Sequence, residues 1–479
     1  MEPKFRIIQG GMGVGVSNWV LAKSVAQRGA LGVVSGTGIA IVLARRLQGG
    51  DPDGHLRRAV GSFPFQNIAR RVWDRYFIDG GRTAATPFKS TPVPTIEFNQ
   101  ALEELTVLAA FTEVFLAKEG HAGVVGINLL EKVQTPTLAT LFGAMLAGVD
   151  YVLMGAGIPR FIPGVLDALA RGEAVQLKVD VENADPSDTF LSQFDPAGFM
   201  ATNESDDTKS MMLKRPVFLA IVSSATLAMT LARKSNGRVD GFVIETSVAG
   251  GHNAPPRGPL RLTPSGEPVY GTRDVADLQK IADIGLPFYM AGGFGTHAQL
   301  QWALAQGAAG IQVGTAFAFC NESAIRTDLK HQVIEMARAG QAKVFTDPLA
   351  SPTGFPFKVL VLEQSMSNPD IYALRKRKCD MGYLRMLYRR EDGTVGYRCA
   401  AEPVEDYVAK GGAAADSTGR KCLCNALFST IGLGQVDAQG ESEIAIVTAG
   451  DDVSEIQRYL RNGADSYSSA DVLDCILNG

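Results

Sequence analysis

Eight short apolar runs rich in β-branched residues punctuate the chain between residues 5 and 320. They read FRIIQG (5–10), LGVVSG (31–36), GVVGINLL (123–130), DYVLMGAG (150–157), VFLAIVSS (217–224), GFVIETS (241–247), PFYMAGG (287–293) and GIQVGTAF (310–317). Between them lie stretches with helical spacing of apolar positions, such as NWVLAKSVAQRG, TPTLATLFGAMLAG and HAQLQWALAQGA. Near-continuous apolar strands separated by amphipathic helices describe a parallel sheet covered by helices. Eight such units predict a (β/α)8 barrel. A doubly wound open sheet is the alternative arrangement of the same units.

Three segments interrupt the alternation. An excursion at about 45–122 follows the second strand and is rich in arginine, ending in the helix-like TIEFNQALEELTVLAAFTEVFLAKEG. Strand-to-helix connections lie on the active-site face of a barrel, so this segment is either a lid or a solvated cap. The run AVQLKVDVE and the polar stretch after it form an insertion at about 174–214, between the fourth helix and the fifth strand. That position predicts a location on the face away from the chemistry, with Lys178 structural. Residues 1–345 are thus read as the barrel, and 346–479 as an extension with terminal helices packed on it.

Composition adds mostly exclusions. The net charge of −4 leaves no basic footprint for nucleic acid. The most apolar early run, residues 29–44, is too short and glycine-rich to span a bilayer, and the first residues enter a strand without a secretory pattern. A cytoplasmic location and no membrane partner are therefore expected. A homodimer is the expected assembly.

The 52 glycines change the picture more, because so many close a strand. Strand ends read Gly10-Gly11-Met12-Gly13, Ser35-Gly36-Thr37, Gly155-Ala156-Gly157, Gly250-Gly251-His252, Gly292-Gly293 and Gly314-Thr315. Glycine lets backbone N–H groups approach a ligand closely. In such barrels the loops after strands seven and eight commonly hold a phosphate, which fits Gly292, Gly293, Gly314 and Thr315. His252, one of five histidines, stands in AGGHNAPPRG at the end of the sixth strand. It is either an active-site imidazole or the polar tip of a turn. His55, His121, His297 and His331 have no comparable setting.

In order along the chain, IIQGGMGVGVS, GVVSGTG, VGINLL, VLMGAGIP, VSSATLA, AGGHN, MAGGFGT and GIQVGTAFAFCNES resemble the nitronate monooxygenase family, which includes flavin-dependent enoyl-acyl-carrier-protein reductases. The resemblance covers about residues 5–325, with ASPTGFPFK also family-like. It implies a (β/α)8 TIM barrel binding one FMN. It implies flavin contacts from Gln9, Gly10, Gly11, Met12, Ser35, Gly36, Thr37, Asn128 and Ser224. Gly251, Gly292, Gly293, Gly314 and Thr315 would hold the phosphate, and His252 falls on the active-site histidine. The family commonly follows that histidine with a short glycine turn. Here NAPPRG follows, stiffened by Pro255 and Pro256, which brings Asn253 and Arg257 forward as substrate contacts.

The resemblance implies oxidation of an alkyl nitronate with oxygen, with NAD(P)H-driven reduction of an enoyl thioester on an acyl carrier protein as the alternative chemistry. A flavin-binding scaffold without turnover is the third reading. Separately, Cys379, Cys399, Cys422 and Cys424 concentrate in the extension. Four thiols in so short a stretch fit a structural zinc ion or an iron–sulfur cluster, or else reduced cysteines packed as small apolar groups.

Overall fold

The computed structural model describes residues 5–203, 211–437, 439–461 and 463–479. Eight parallel strands form one sheet: β1 Ile7–Gln9, β2 Gly32–Ser35, β3 Val125–Leu130, β4 Tyr151–Gly155, β5 Val217–Val222, β6 Gly241–Glu245, β7 Phe288–Ala291 and β8 Gly310–Val313. Neighbours run β1-β8-β7-β6-β5-β4-β3-β2. The ends then meet: Gln9 N–H donates to Leu31 O at 2.9 Å and Leu31 N–H to Ile7 O at 3.0 Å. The sheet is therefore a closed barrel, and the open doubly wound alternative is set aside.

Alternation along each strand decides what fills it. Ile8, Leu31, Val33, Leu153, Leu219, Val243 and Tyr289 form the inner plug. Two residues on from Leu153, Leu219 and Val243, the same faces present Gly155, Ile221 and Glu245 at the mouth, as side-chain period two requires. The outer faces carry the larger core, covered by helices that include α1 Trp19–Ala26, α2 Ile39–Gln48, α3 Gln100–Lys118, α4 Thr137–Leu146 and α5 Ile162–Ala170. The layer continues with α6 Ala225–Lys234, α7 Leu278–Ala282, α8 His297–Ala305 and α9 Thr327–Arg338. Their starts follow local chemistry: Asn18 accepts from Leu21 N–H, and Thr296 with Gln299 forms a capping box.

The excursion does not form a lid. Helix α3 is the true barrel helix of its unit, packed on α1, α2 and α4, and α2 is buried along nearly its whole length. Arg45 of α2 donates to Leu433 O and stacks over Phe88 and Phe428 at 5.0 and 5.2 Å. The segment therefore packs beside the barrel because its apolar positions serve helix contacts.

The insertion also departs from expectation. Strands 175–178 and 191–194 pair as a hairpin, and Phe194 and Phe199 pack on Phe142 of α4 at 5.0 and 5.7 Å. Asp180 N–H reaches Gln134 Oε1 (2.8 Å) in the loop after β3, on the mouth side. Residues 181–182 pair with the strand 386–389 of the extension. Burial of the two phenylalanines draws the insertion up the flank of the barrel, where an unpaired edge finds a partner.

The extension supplies the roof. It contains a hairpin (344–347 with 357–360), a second one (386–389 with 395–398), α10 Leu423–Thr430, a 3-10 helix Asp451–Tyr459 and α11 Ser469–Asn478. Helix α11 returns to pack on α1 and α8. Among the described residues no helix is long and apolar enough to cross a membrane.

Candidate active site at the barrel mouth

A cavity of about 210 Å³ lies at the C-terminal ends of the strands, between the barrel and the extension. Its floor is the last inward-facing layer of the strands: Asn128, Gly155, Ile221, Glu245, Ala291 and Gln312. One wall is Gly10, Gly11, Met12 and Thr37, and another is Gly250, Gly251 and His252. The ends of β7 and β8 add Gly292, Gly293, Gly314 and Thr315. The roof is Tyr383, Leu384, Leu423, Cys424, Leu427 and Phe428, with residues 447–450 and Asp452 closing one end.

The strand-end glycines are required where they stand. Gly292 has φ +88°, and a Cβ there would meet Thr246 Oγ1 at 2.3 Å. Gly251 has φ +82° with nothing within 4 Å of a would-be Cβ, so its backbone faces open space. At Gly11 a Cβ would meet Asn128 Cβ at 2.1 Å, so the two residues that the motifs single out pack directly together.

Several expected site residues stand outside this wall. Gln9 is fully buried behind it: its Nε2 donates to Gly10 O and Ser17 Oγ, and its Oε1 accepts from Val33 N–H. It clamps the β1 loop onto β2. Ser35 is buried with its hydroxyl unpartnered, Gly36 N–H donates to Asn128 O, and Ser224 caps α6 by accepting from Leu227 N–H. Asn253 is buried, held to Ala249 O and Pro356 O. Arg257 is exposed and donates to the carbonyls of Arg273 and Ser223. Neither Asn253 nor Arg257 reaches the cavity.

His252 does line it. Nε2 shares a hydrogen bond with Ser351 Oγ at 2.7 Å, and Ser351 Oγ pairs with Thr353 Oγ1 at 2.8 Å. The ring packs edge-on against Phe357 at 4.9 Å. These partners belong to 351–357, so the stretch SPTGFPF positions the imidazole. Burial lowers its pKa from 6.5 to about 4, so it is neutral at physiological pH.

Glu245 and Asp452 were not anticipated. Burial alone lifts the Glu245 carboxyl from 4.5 to about 7. Asp452 is also raised, by burial first, and its Oδ1 has no partner. Burial likewise pushes the Tyr383 hydroxyl and the Cys424 thiol up. No lysine or arginine lines the cavity among the described residues. Glu245 was legible as a carboxylate at the end of a barrel strand, whereas nothing periodic announces Asp452.

The four cysteines do come together. Cys399 and Cys422 are buried, with Cys379 and Cys424 packed against them around a small void also touched by Leu384 and Leu423. Among the described residues, however, no three His, Cys, Asp or Glu side chains are set to hold a metal ion. The four thiols pack together around that void, and Cys424 also lines the main cavity.

Comparison with known proteins agrees with the motifs. Residues 187–347 match the family model described as nitronate monooxygenase. A 120-residue stretch is 33% identical to the probable nitronate monooxygenase of Bacillus subtilis (strain 168), covering 25% of this chain and 32% of that protein. The match thus spans about a third of the curated relative's length. Among solved structures, the chain is similar to FabK from Thermotoga maritima (14% identity, 99% of this chain, 92% of that one, TM-score 0.45). It is also similar to nitroalkane oxidase from Streptomyces ansochromogenes (15%, 98% and 94%, TM-score 0.43). The enoyl reductase domain of MlnA from Bacillus amyloliquefaciens gives 11%, 99% and 94%, with a TM-score of 0.47. The barrel itself rests on the strand order above. Over residues 187–347 this chain matches that family model, and the match agrees with the resemblance carried by the motifs there.

Proposed function

We propose that this protein is an FMN-dependent oxidoreductase whose flavin lies across the barrel mouth and whose substrate sits between flavin and roof, beside His252. One observation carries the reading: a roofed cavity at the strand ends joins a glycine cradle to buried oxygens without partners, Gln312 Oε1 and Asp452 Oδ1. Such orphans are destabilising unless a ligand answers them. The glycine N–H groups fit a phosphate, and the two orphaned acceptors call for N–H or O–H donors on the same ligand, a pattern that FMN can meet.

When bound, FMN supplies the redox chemistry, and the protein supplies placement. Gly10, Gly11, Met12, Thr37 and Asn128 would flank the ring, with Gly251, Gly292, Gly293, Gly314 and Thr315 around the phosphate. Gln9, Ser35, Gly36 and Ser224 would act from behind, by fixing the loops that make the contact. The roof of Tyr383, Leu384, Leu423, Leu427 and Phe428 excludes water.

The wall favours a neutral substrate. Among the described residues its ionisable side chains are held toward their uncharged forms, and no lysine or arginine lines the cavity. An anionic nitronate would find no counter-charge. A neutral, polarised acceptor such as an enoyl thioester would instead receive a hydrogen bond from neutral His252 at its carbonyl oxygen, where charge develops. The reading we favour is therefore NAD(P)H-dependent enoyl reduction, with an acyl carrier protein delivering the chain. Nitronate oxidation is the second reading, supported by the family matched at 187–347.

Purified protein is expected to be yellow with a flavin spectrum. Colourless protein that no flavin reconstitutes defeats the proposal. Anaerobic mixing then separates the chemistries: bleaching by NADPH or NADH supports reduction, whereas bleaching by propyl nitronate alone replaces it with nitronate oxidation.

A further inference from the structure

Asp452 reaches the cavity from the extension, outside the stretch 187–347 that matches a known family. It stands in the first turn of the 3-10 helix Asp451–Tyr459, which is pinned from several sides. Asp451 N–H donates to Val248 O at 3.0 Å, Gly450 N–H to Thr315 Oγ1 at 3.0 Å, and Tyr459 OH to Gly295 O at 2.6 Å. Lys358 Nζ holds the neighbouring Asp451 at 2.7 Å. The Asp452 carboxyl is thereby wedged between the loops after β7 and β8. A Cβ on Gly295 would lie 3.8 Å from its Oδ2, and one on Gly450 would lie 2.8 Å from its Oδ1 and 2.9 Å from Thr315 Oγ1.

This placement is chemically odd. Those two loops are where a phosphate belongs in such barrels. An ionised carboxylate there would oppose a phosphate dianion at short range in a poorly hydrated pocket. Thr315 Oγ1 accepts from Gly450 N–H and bonds the Asp452 carboxyl, which leaves Asp452 Oδ1 buried without a hydrogen-bond partner. A single proton between carboxyl and phosphate removes the conflict, because it turns repulsion into a short, charge-assisted hydrogen bond.

Building on the flavin reading above, we infer that Asp452 contacts the flavin phosphate as a protonated carboxyl, donating a hydrogen bond to a phosphate oxygen and coupling flavin affinity to pH. Where the carboxyl is ionised in the free protein, binding takes up one proton from solvent onto Asp452.

The surroundings leave the carboxyl free to do this. Burial is the largest influence and raises its proton affinity; hydrogen bonds from Thr315 and from backbone N–H oppose it, and on its own helix Asp451 raises it and Arg458 lowers it, with the net shift upward. Tyr459 and Tyr467, both pushed upward by burial, stay neutral. Lys358 is spent on Asp451, and Lys330 of α9 on the carbonyls of Asn321 and Ser323. The β7 loop, Gly292 to Thr296, carries no ionisable side chain, and His297 beyond it is held to Ile476 O.

The test is a titration of flavin-stripped full-length protein with FMN and with riboflavin, followed by flavin fluorescence from about pH 5.5 to about pH 8.5. Wild-type affinity for FMN is expected to fall with rising pH, by up to about tenfold per pH unit once the carboxyl ionises. Riboflavin, which has no phosphate, shows no such fall. Asp452→Asn is expected to bind FMN on the order of tenfold more tightly than wild type at about pH 8.5, and Asp452→Glu to restore the pH dependence. The phosphate's own second ionisation, at about 6, is common to all three proteins and cancels between them. Parallel pH profiles for FMN and riboflavin in the wild type overturn the inference, whether or not the variants fold. So does an Asp452→Asn protein whose FMN affinity tracks the wild type. If neither flavin binds at any pH, the flavin reading fails and this inference falls with it.

Discussion

Replacing Glu245 by Gln is expected to stabilise the flavin-free protein at alkaline pH and leave it nearly unchanged in acid. The carboxyl sits on the inner face of β6, two residues beyond the plug residue Val243, and burial alone lifts it from 4.5 to about 7. Between those values the unfolded chain has released its proton while the folded chain keeps it. Stability therefore falls as pH rises through that window and levels off above about 7. At about 1.4 kcal/mol per tenfold change in proton affinity, the loss amounts to about 3 kcal/mol. Glutamine has nearly the same shape and no proton to lose. Urea unfolding midpoints at about pH 5 and about pH 8, compared between the two proteins, isolate the effect because all other ionisable groups are shared. The variant is expected to match the wild type at the lower pH and exceed it by about 3 kcal/mol at the higher. A gap that is the same at both pH values would show that the side chain matters for packing rather than charge, and would refute the argument.

His252→Ala is expected to retain bound flavin while turnover drops on the order of 10²–10⁴-fold; loss of flavin with normal turnover in the remaining holoprotein would refute a catalytic role. Because burial holds the His252 imidazole at about 4, kcat/KM plotted against pH should show no inflection near 6.5, and a clear one there would contradict the buried placement. Ser351→Ala, which removes the 2.7 Å hydrogen bond to Nε2, should lower kcat several-fold with little change in flavin content, whereas an unaltered kcat would deny Ser351 a positioning role. Gly292→Ala places a Cβ 2.3 Å from Thr246 Oγ1 at φ +88° and should lower thermal stability and flavin retention together; an unchanged melting temperature would mean that the β7 loop relaxes freely.

The barrel was legible because parallel strands buried on both faces must be written as unbroken apolar runs. All eight predicted runs contain an observed strand, GFVIETS holding Gly241–Glu245 and PFYMAGG holding Phe288–Ala291. Strand-end glycines were legible for a related reason, since few other residues tolerate the backbone of Gly251 or Gly292. What escaped is whatever depends on packing between distant segments. Asn253 and Arg257 follow His252 in sequence, yet the rigid loop turns them to the backbone of Ala249 and Ser223. The roof residues Tyr383 and Phe428 come from stretches without strand or helix periodicity that predicts a partner. Glu245 shares the face of Val243, but a single carboxylate at the end of an apolar run does not by itself mark a site.

One cavity is walled at one side by Gly10 to Val14 and at the other by Val447 to Gly450 and Asp452. The order of synthesis gives that span a consequence. A nascent chain has every barrel strand once residue 313 has left the ribosome, but its mouth stays unroofed until residue 452 follows. Under the proposed reading, cofactor capture would come late, once the extension has closed over the barrel mouth. On that reading, a prematurely terminated product would carry the glycine cradle without the roof that closes the pocket over its ligand.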